Sequence, residues 1–361
     1  MRHAAFLRSL LRSLLCFLGF PGFLASCRGR LSGRLSFVCL PLVLSACVSF
    51  PDVPAPSAAP RYEADGLTSF DGTRLAVETW MAEEPRAVLV ALHGMNDYSE
   101  TFALPAPWWA ENAAIATYAI DQRGFGRSPG AGRWPGAETL AADLRAAVAA
   151  ARAAHPGLPL FVLGHSMGAA VAMKAQGDAP LGADGLILVA PGVWGGAALP
   201  LPYRLSLNLA ATIAPGKTLT GERAGRQPSD NMAVMRAMAA DPLVIKETRL
   251  DAILGVVRLM GEAYGEADAV GGDILFLIGE KDEVIPVKTM RKASGRLCGR
   301  VDVRLYPEGW HLLLRDLQGP VVWRDIADWI AARAGGDAPP ILASASAAAR
   351  AAAPRRDACA R

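Results

Sequence analysis

Aromatic residues are scarce in this 361-residue chain, at 7%, and the first 46 residues contain no acidic side chain. Cysteine is thin outside the N-terminus: of six, only Cys298 and Cys359 lie beyond residue 47. That excludes a disulfide-dense scaffold, and Cys298 is expected as a free thiol, with a Cys298–Cys359 bridge as the alternative. The motifs of the large cofactor classes are missing as well. There is no cluster with metal-ligand spacing, no phosphate-binding Walker loop and no dinucleotide fingerprint, so no cofactor and no metal is implied. The formal charge of +3 conceals an asymmetry, because Arg2, Arg8, Arg12, Arg28, Arg30 and Arg34 all fall in residues 1–46. Without those six arginines the remainder carries −3. A near-neutral body without a basic patch excludes nucleic acid as a partner.

The N-terminus reads as an address. A positive flank at Arg34 precedes a short apolar run and then the small residues Leu44-Ser45-Ala46-Cys47. This is signal-peptide grammar, and the run falls short of the roughly 20 residues a membrane-spanning helix needs. The ending resembles the lipobox of bacterial lipoproteins. That resemblance implies cleavage before Cys47, a lipid on its sulfur, and a place in the bacterial cell envelope. Val48, in place of an acid, implies an outer-membrane anchor facing the periplasm. Leu24-Ala25-Ser26-Cys27 fits the same pattern, but arginines follow it, and positive charge resists translocation. Cys47 is followed by a Pro-rich stretch suited to a tether.

The body alternates apolar runs with amphipathic stretches. Apolar runs at 86–92, 114–120, 159–163, 185–190 and 274–278 predict strands buried on both faces, and 301–305 is a further candidate strand. Helices are expected at 138–154, where Leu140, Leu144 and Val148 share a face, and near Val322, Ile326, Trp329 and Ile330. Strands of that kind between helices predict a mostly parallel sheet covered on both sides. Asp71-Gly72 between apolar residues predicts a hairpin within 62–80. Residues 193–268 show helical periodicity and no convincing strand, with Ile253, Val256, Val257 and Met260 on one expected face. The expected organisation is a signal peptide (1–46), a tether (47–61), a core (62–192 and 269–335), a helical insertion (193–268) and a disordered tail (336–361).

Gly164-His165-Ser166-Met167-Gly168 follows an apolar strand and opens a helix-like segment. That is the context in which G-x-S-x-G presents a nucleophilic serine. Gly126-Arg127-Ser128-Pro129-Gly130 also matches, but proline has no N–H to stabilise an oxyanion. Serine needs an imidazole to take its proton and a carboxylate to hold that imidazole. Of the five histidines, His311 lies late in the chain, where the order Ser, acid, His puts the base. Asp282, in the loop after the strand at 274–278, is the best acid, with Glu280 and Glu283 as alternatives. His93-Gly94-Met95-Asn96-Asp97 follows the strand at 86–92. This loop is expected to supply the Met95 N–H as oxyanion donor beside the Met167 N–H, with His93 as a brace.

These segments, with Asp121-Gln-Arg-Gly-Phe-Gly-Arg-Ser128 and Trp310-His311, make residues 62–334 similar to the monoacylglycerol lipase and lysophospholipase group of α/β-hydrolases. The resemblance implies the α/β-hydrolase fold with a helical cap at 193–268. It carries over a Ser166, Asp282, His311 triad with Met95 and Met167 as oxyanion donors, and a lipid or small-ester substrate. Met232, Met235 and Met238 would then suit an acyl site. Two departures stand out: Ala169 follows Gly168 where a second glycine is common, and the His-Gly loop reads Met-Asn-Asp in place of a Gly-Glu version. A peptidase or transacylase on the same fold, and a non-catalytic binding lipoprotein of the envelope, are the alternatives.

Overall fold

The computed structural model describes residues 48–220, 225–335 and 349–352. Both candidate lipidation sites, Cys27 and Cys47, lie outside the described residues. Among the described residues the first elements are three short antiparallel strands, β1 (Arg61–Glu63), β2 (Gly66–Thr68) and β3 (Arg74–Leu75). Gly72, at φ +79°, makes the expected turn between β2 and β3. The central sheet then begins with β4 (Val77–Trp80) and β5 (Ala87–Leu92), followed by α1 (Pro105–Ala113), β6 (Ile115–Ile120) and α2 (Ala137–Ala154). Next come β7 (Leu160–His165), α3 (Met167–Asp178) and β8 (Gly185–Val189). The insertion holds α4 (Leu201–Ile213), β9 (Thr218–Thr220), α5 (Met232–Ala240), β10 (Glu247–Arg249) and α6 (Leu250–Gly265). The chain returns through β11 (Asp273–Gly279), α7 (Val287–Ser294), β12 (Arg300–Tyr306), α8 (Gly319–Ala331) and β13 (Ala349–Ala352).

Eight strands form the central sheet in the order β13-β12-β11-β8-β7-β5-β6-β4. The six inner strands run parallel; β4 and β13 add antiparallel at the edges. All six residues of β5, and all six of β7, are buried, as their unbroken apolar sequence requires of strands covered on both faces. One face packs under α2 and α3; the other packs under α1 and α8. Trp329 of α8 lies so close to β8 that a β-carbon on Gly185 would stand 2.6 Å from its ring. Burying such a side chain stabilises the fold by roughly 1.5–3 kcal/mol.

Five expectations change. The cap contains a two-stranded antiparallel ladder, β9 with β10, too short to leave an alternating pattern. The buried stripe of α6 is Ala252, Val256, Leu259 and Ala263, rotated from the expected one. The helix leans on Trp134 through Gly255 and on residues 195–196 through Gly261, and small residues carry no hydrophobic signal. The tether is docked: Val48 and Phe50 pack against cap residues, and Arg258 Nη1 donates to the Val48 carbonyl at 3.0 Å. In the tail, Ala349–Ala352 pair with β12, because an open strand edge offers backbone hydrogen bonds whatever the side chains. Cys298, moreover, is disulfide-bonded rather than a free thiol.

Candidate active site

The parallel sheet brings its strand ends together at one edge, and the site stands there. β7 ends at His165, α3 begins at Met167, and Ser166 is the whole connection. Its backbone sits at φ +52°, ψ −112°, a left-handed conformation that is strained for a residue with a β-carbon. The flanking glycines allow so sharp a turn. A β-carbon on Gly164 would stand 2.4 Å from Ala169 N, and one on Gly168 would stand 2.4 Å from the Leu92 carbonyl oxygen.

His311, in the loop after β12, points Nε2 at Ser166 Oγ, 3.0 Å away. Its Nδ1 stands 2.7 Å from Asp282 Oδ2. The other oxygen, Asp282 Oδ1, accepts from Val284 N at 2.7 Å and Ile285 N at 2.8 Å. These bonds choose Asp282 from the three acids of its loop. Glu280 pairs instead with Arg291, and Glu283 accepts from Gln227 N. Ser128, in the second G-x-S-x-G match, is buried and structural. Its hydroxyl donates to the Asp121 carbonyl and accepts from Ala76 N.

Met167 is the first residue of α3 and is fully buried; a helix's first N–H groups have no intrahelical partner. Met95 follows Gly94, where an added β-carbon would come within 3.3 Å of Ser166 Cβ. Met167 therefore adjoins the serine in sequence, and the turn that carries Met95 passes beside it at Gly94. His93 braces this loop as expected. Its Nε2 accepts from Gln122 N and its Nδ1 stands 2.8 Å from the Gly94 carbonyl oxygen. Burial keeps its pKa below the usual value, so the ring is neutral. The three methionines expected at an acyl site lie on α5, which buries none of its residues. A cap methionine that does stand beside the elbow is Met260 of α6. Its Sδ would stand 3.3 Å from a β-carbon on Gly192, whose N–H donates to the Ser166 carbonyl.

Some supporting residues had no signature in the sequence. His165 Nε2 stands 3.0 Å from the His311 carbonyl oxygen and donates to it, holding the backbone of His311. Burial, with His311 beside it, drives its pKa down to about 3, so it stays neutral. Asp316 Oδ2 accepts from Trp310 N and its Oδ1 from the Ser229 hydroxyl, which joins the His311 loop to the insertion. Its pKa is pushed up to about 6, chiefly by desolvation. Beneath the His-Gly loop, Arg315 pairs with Asp97, both almost fully buried. Burial would raise the Asp97 pKa, but the Arg315 guanidinium overrides it and holds the carboxyl below the usual range. Arg315→Leu would leave that carboxylate buried and unpaired. It is expected to lower unfolding free energy by about 3–5 kcal/mol in urea titrations at pH 7; a loss below about 1 kcal/mol would show that the pair is well solvated. Among the described residues no cluster of His, Cys, Asp or Glu could hold a metal ion.

A mostly parallel sheet, a serine on a strained strand-to-helix turn, and a histidine and aspartate in line behind it define the α/β-hydrolase class. Within that class the chain belongs to the serine aminopeptidase S33 family, whose model matches residues 83–318. It is 27% identical to a monoacylglycerol lipase of Mycolicibacterium smegmatis, over 72% of this chain and 93% of the relative. It is 24% identical to the human monoglyceride lipase, over 79% of this chain and 97% of that protein. Its fold is similar to that of a solved monoacylglycerol lipase from Paleococcus ferrophilus, with a TM-score of 0.61 at 21% identity, covering 72% and 99% of the two chains.

Proposed function

We propose that this protein hydrolyses carboxylic esters of lipids, of the monoacylglycerol or lysophospholipid class, through an acyl-enzyme on Ser166. The observation that carries the reading is the unbroken line Asp282 Oδ2, His311 Nδ1, His311 Nε2, Ser166 Oγ, with steps of 2.7 and 3.0 Å. His311 Nε2 takes the hydroxyl proton as Oγ attacks the ester carbonyl. Asp282 stabilises the imidazolium and fixes its tautomer. The Met95 and Met167 N–H groups receive the oxyanion, each donor of this kind being worth roughly 2.7–4 kcal/mol. His311 returns the proton to the leaving alcohol, and water then releases the fatty acid by the same steps. The monoacylglycerol lipases among the relatives support the substrate class. We further propose that Cys47 carries a lipid that holds the enzyme at the bacterial envelope; the support is the motif ending at Ala46-Cys47.

A fluorophosphonate probe and a p-nitrophenyl ester series from acetate to palmitate test the reading, with aminoacyl p-nitroanilides alongside. Covalent labelling, ester turnover with an optimum at acyl chains longer than acetate, and inert anilides are expected. Preferential anilide cleavage would transfer the site to peptidase chemistry. A folded protein that neither labels nor turns over an ester would be a binding protein.

A further inference from the structure

The Gly94–Asp97 turn is where the site meets the cap. Asp97 N donates to the Gly94 carbonyl, which makes Met95 and Asn96 the two central residues of a β-turn. Asn96 has φ +66°, the left-handed conformation that the second central residue of a type II turn requires. Glycine meets that requirement without a side chain, but this chain uses asparagine, which tolerates the conformation and adds a carboxamide. Asn96 Nδ2 donates to Thr248 Oγ1 of β10 at 2.6 Å. Asn96 Oδ1 is buried and has no partner in the protein, so the bond to Thr248 orients the amide. Two neighbouring bonds cross the same boundary: Ile245 N to the Asn96 carbonyl at 2.9 Å, and the Tyr98 hydroxyl to Asp241 at 2.7 Å. The cap side of the contact is firm. Thr248 is almost buried, and β10 runs directly into α6, whose Met260 stands beside the elbow.

We propose that Asn96 is a positioning residue that latches the oxyanion turn to the cap through Thr248, so that the seated cap sets the direction of the Met95 N–H. The inference rests on the esterase reading above and deepens it: the insertion orients a catalytic donor as well as covering the site. The oxyanion forms only as the reaction proceeds, so the latch acts on kcat and leaves substrate binding largely alone.

The test uses the full chain with p-nitrophenyl butyrate and the variants Asn96→Gly, Thr248→Val, their double mutant and Thr248→Ser. Glycine fits φ +66° without strain, so Asn96→Gly removes the latch and keeps the turn. Asn96→Gly and Thr248→Val are each expected to lower kcat about tenfold, with KM changed by less than about twofold. The double mutant is expected to match the worse single mutant, because both remove one interaction. Thr248→Ser keeps the hydroxyl and is expected to restore the wild-type kcat. An unchanged kcat in Thr248→Val, multiplicative losses in the double mutant, or losses confined to KM would overturn the latch. If the wild type neither labels with fluorophosphonate nor turns over the ester, the esterase reading falls and takes the latch with it.

Discussion

Ser166→Ala is expected to lower kcat on p-nitrophenyl esters by about a million-fold and to abolish fluorophosphonate labelling. The size follows from the chemistry. Without Oγ there is no acyl-enzyme, and only binding and the oxyanion donors are left to act on a direct attack by water. The fold should hold, because alanine at φ +52° carries the same β-carbon that serine already accommodates there. Thermal unfolding therefore separates lost chemistry from lost structure. Persistent labelling of Ser166→Ala would move the nucleophile elsewhere. Ser128 is poorly placed to take over, its hydroxyl being held between the Asp121 carbonyl and Ala76 N.

The second large effect is expected from Asp282→Asn, about 10,000-fold in kcat with little change in stability. Here the structure supplies the reason. Asp282 Oδ1 accepts from two backbone N–H groups, of Val284 and Ile285. An asparagine will therefore keep its carbonyl oxygen on that side and turn its NH2 toward His311 Nδ1. A donor at that position forces the imidazole proton onto Nε2, the nitrogen that must accept from Ser166. The base is then occupied before the reaction starts. Saturation kinetics with the folded variant check this, and a loss smaller than about tenfold would mean that the carboxylate does not set the tautomer.

The parts of the molecule that rest on local pattern were legible early. Five of the six parallel strands announced themselves as apolar runs because both of their faces are covered, whereas β12 interleaves Asp302 and Arg304 with its apolar residues. α2 and α8 showed their buried stripes, with Leu140, Leu144 and Val148 on one and Val322, Ile326 and Trp329 on the other. Ser166 was recognisable because its turn demands glycines at fixed spacing, and His311 because few histidines compete. α1 was harder to see, since Pro-Ala-Pro reads as a break although proline fits the first turn of a helix. Short pieces such as the cap ladder of β9 and β10 and the edge strand β13 left no pattern, because their pairing is satisfied by backbone and by neighbours far along the chain.

The sequence by itself determined the class of fold and the candidates for nucleophile and base, since each depends on residue type at short range: alternation of apolar runs, glycine at a strained turn, histidine in a loop after a strand. Only the tertiary structure decided among Asp282, Glu280 and Glu283, and only it revealed His165 behind His311, the Arg315–Asp97 pair and the bond from Asn96 to Thr248. Those choices turn on distances between residues 29 to 218 positions apart. A hydrogen bond is won or lost within a few tenths of an ångström, and no local pattern records a separation of that kind.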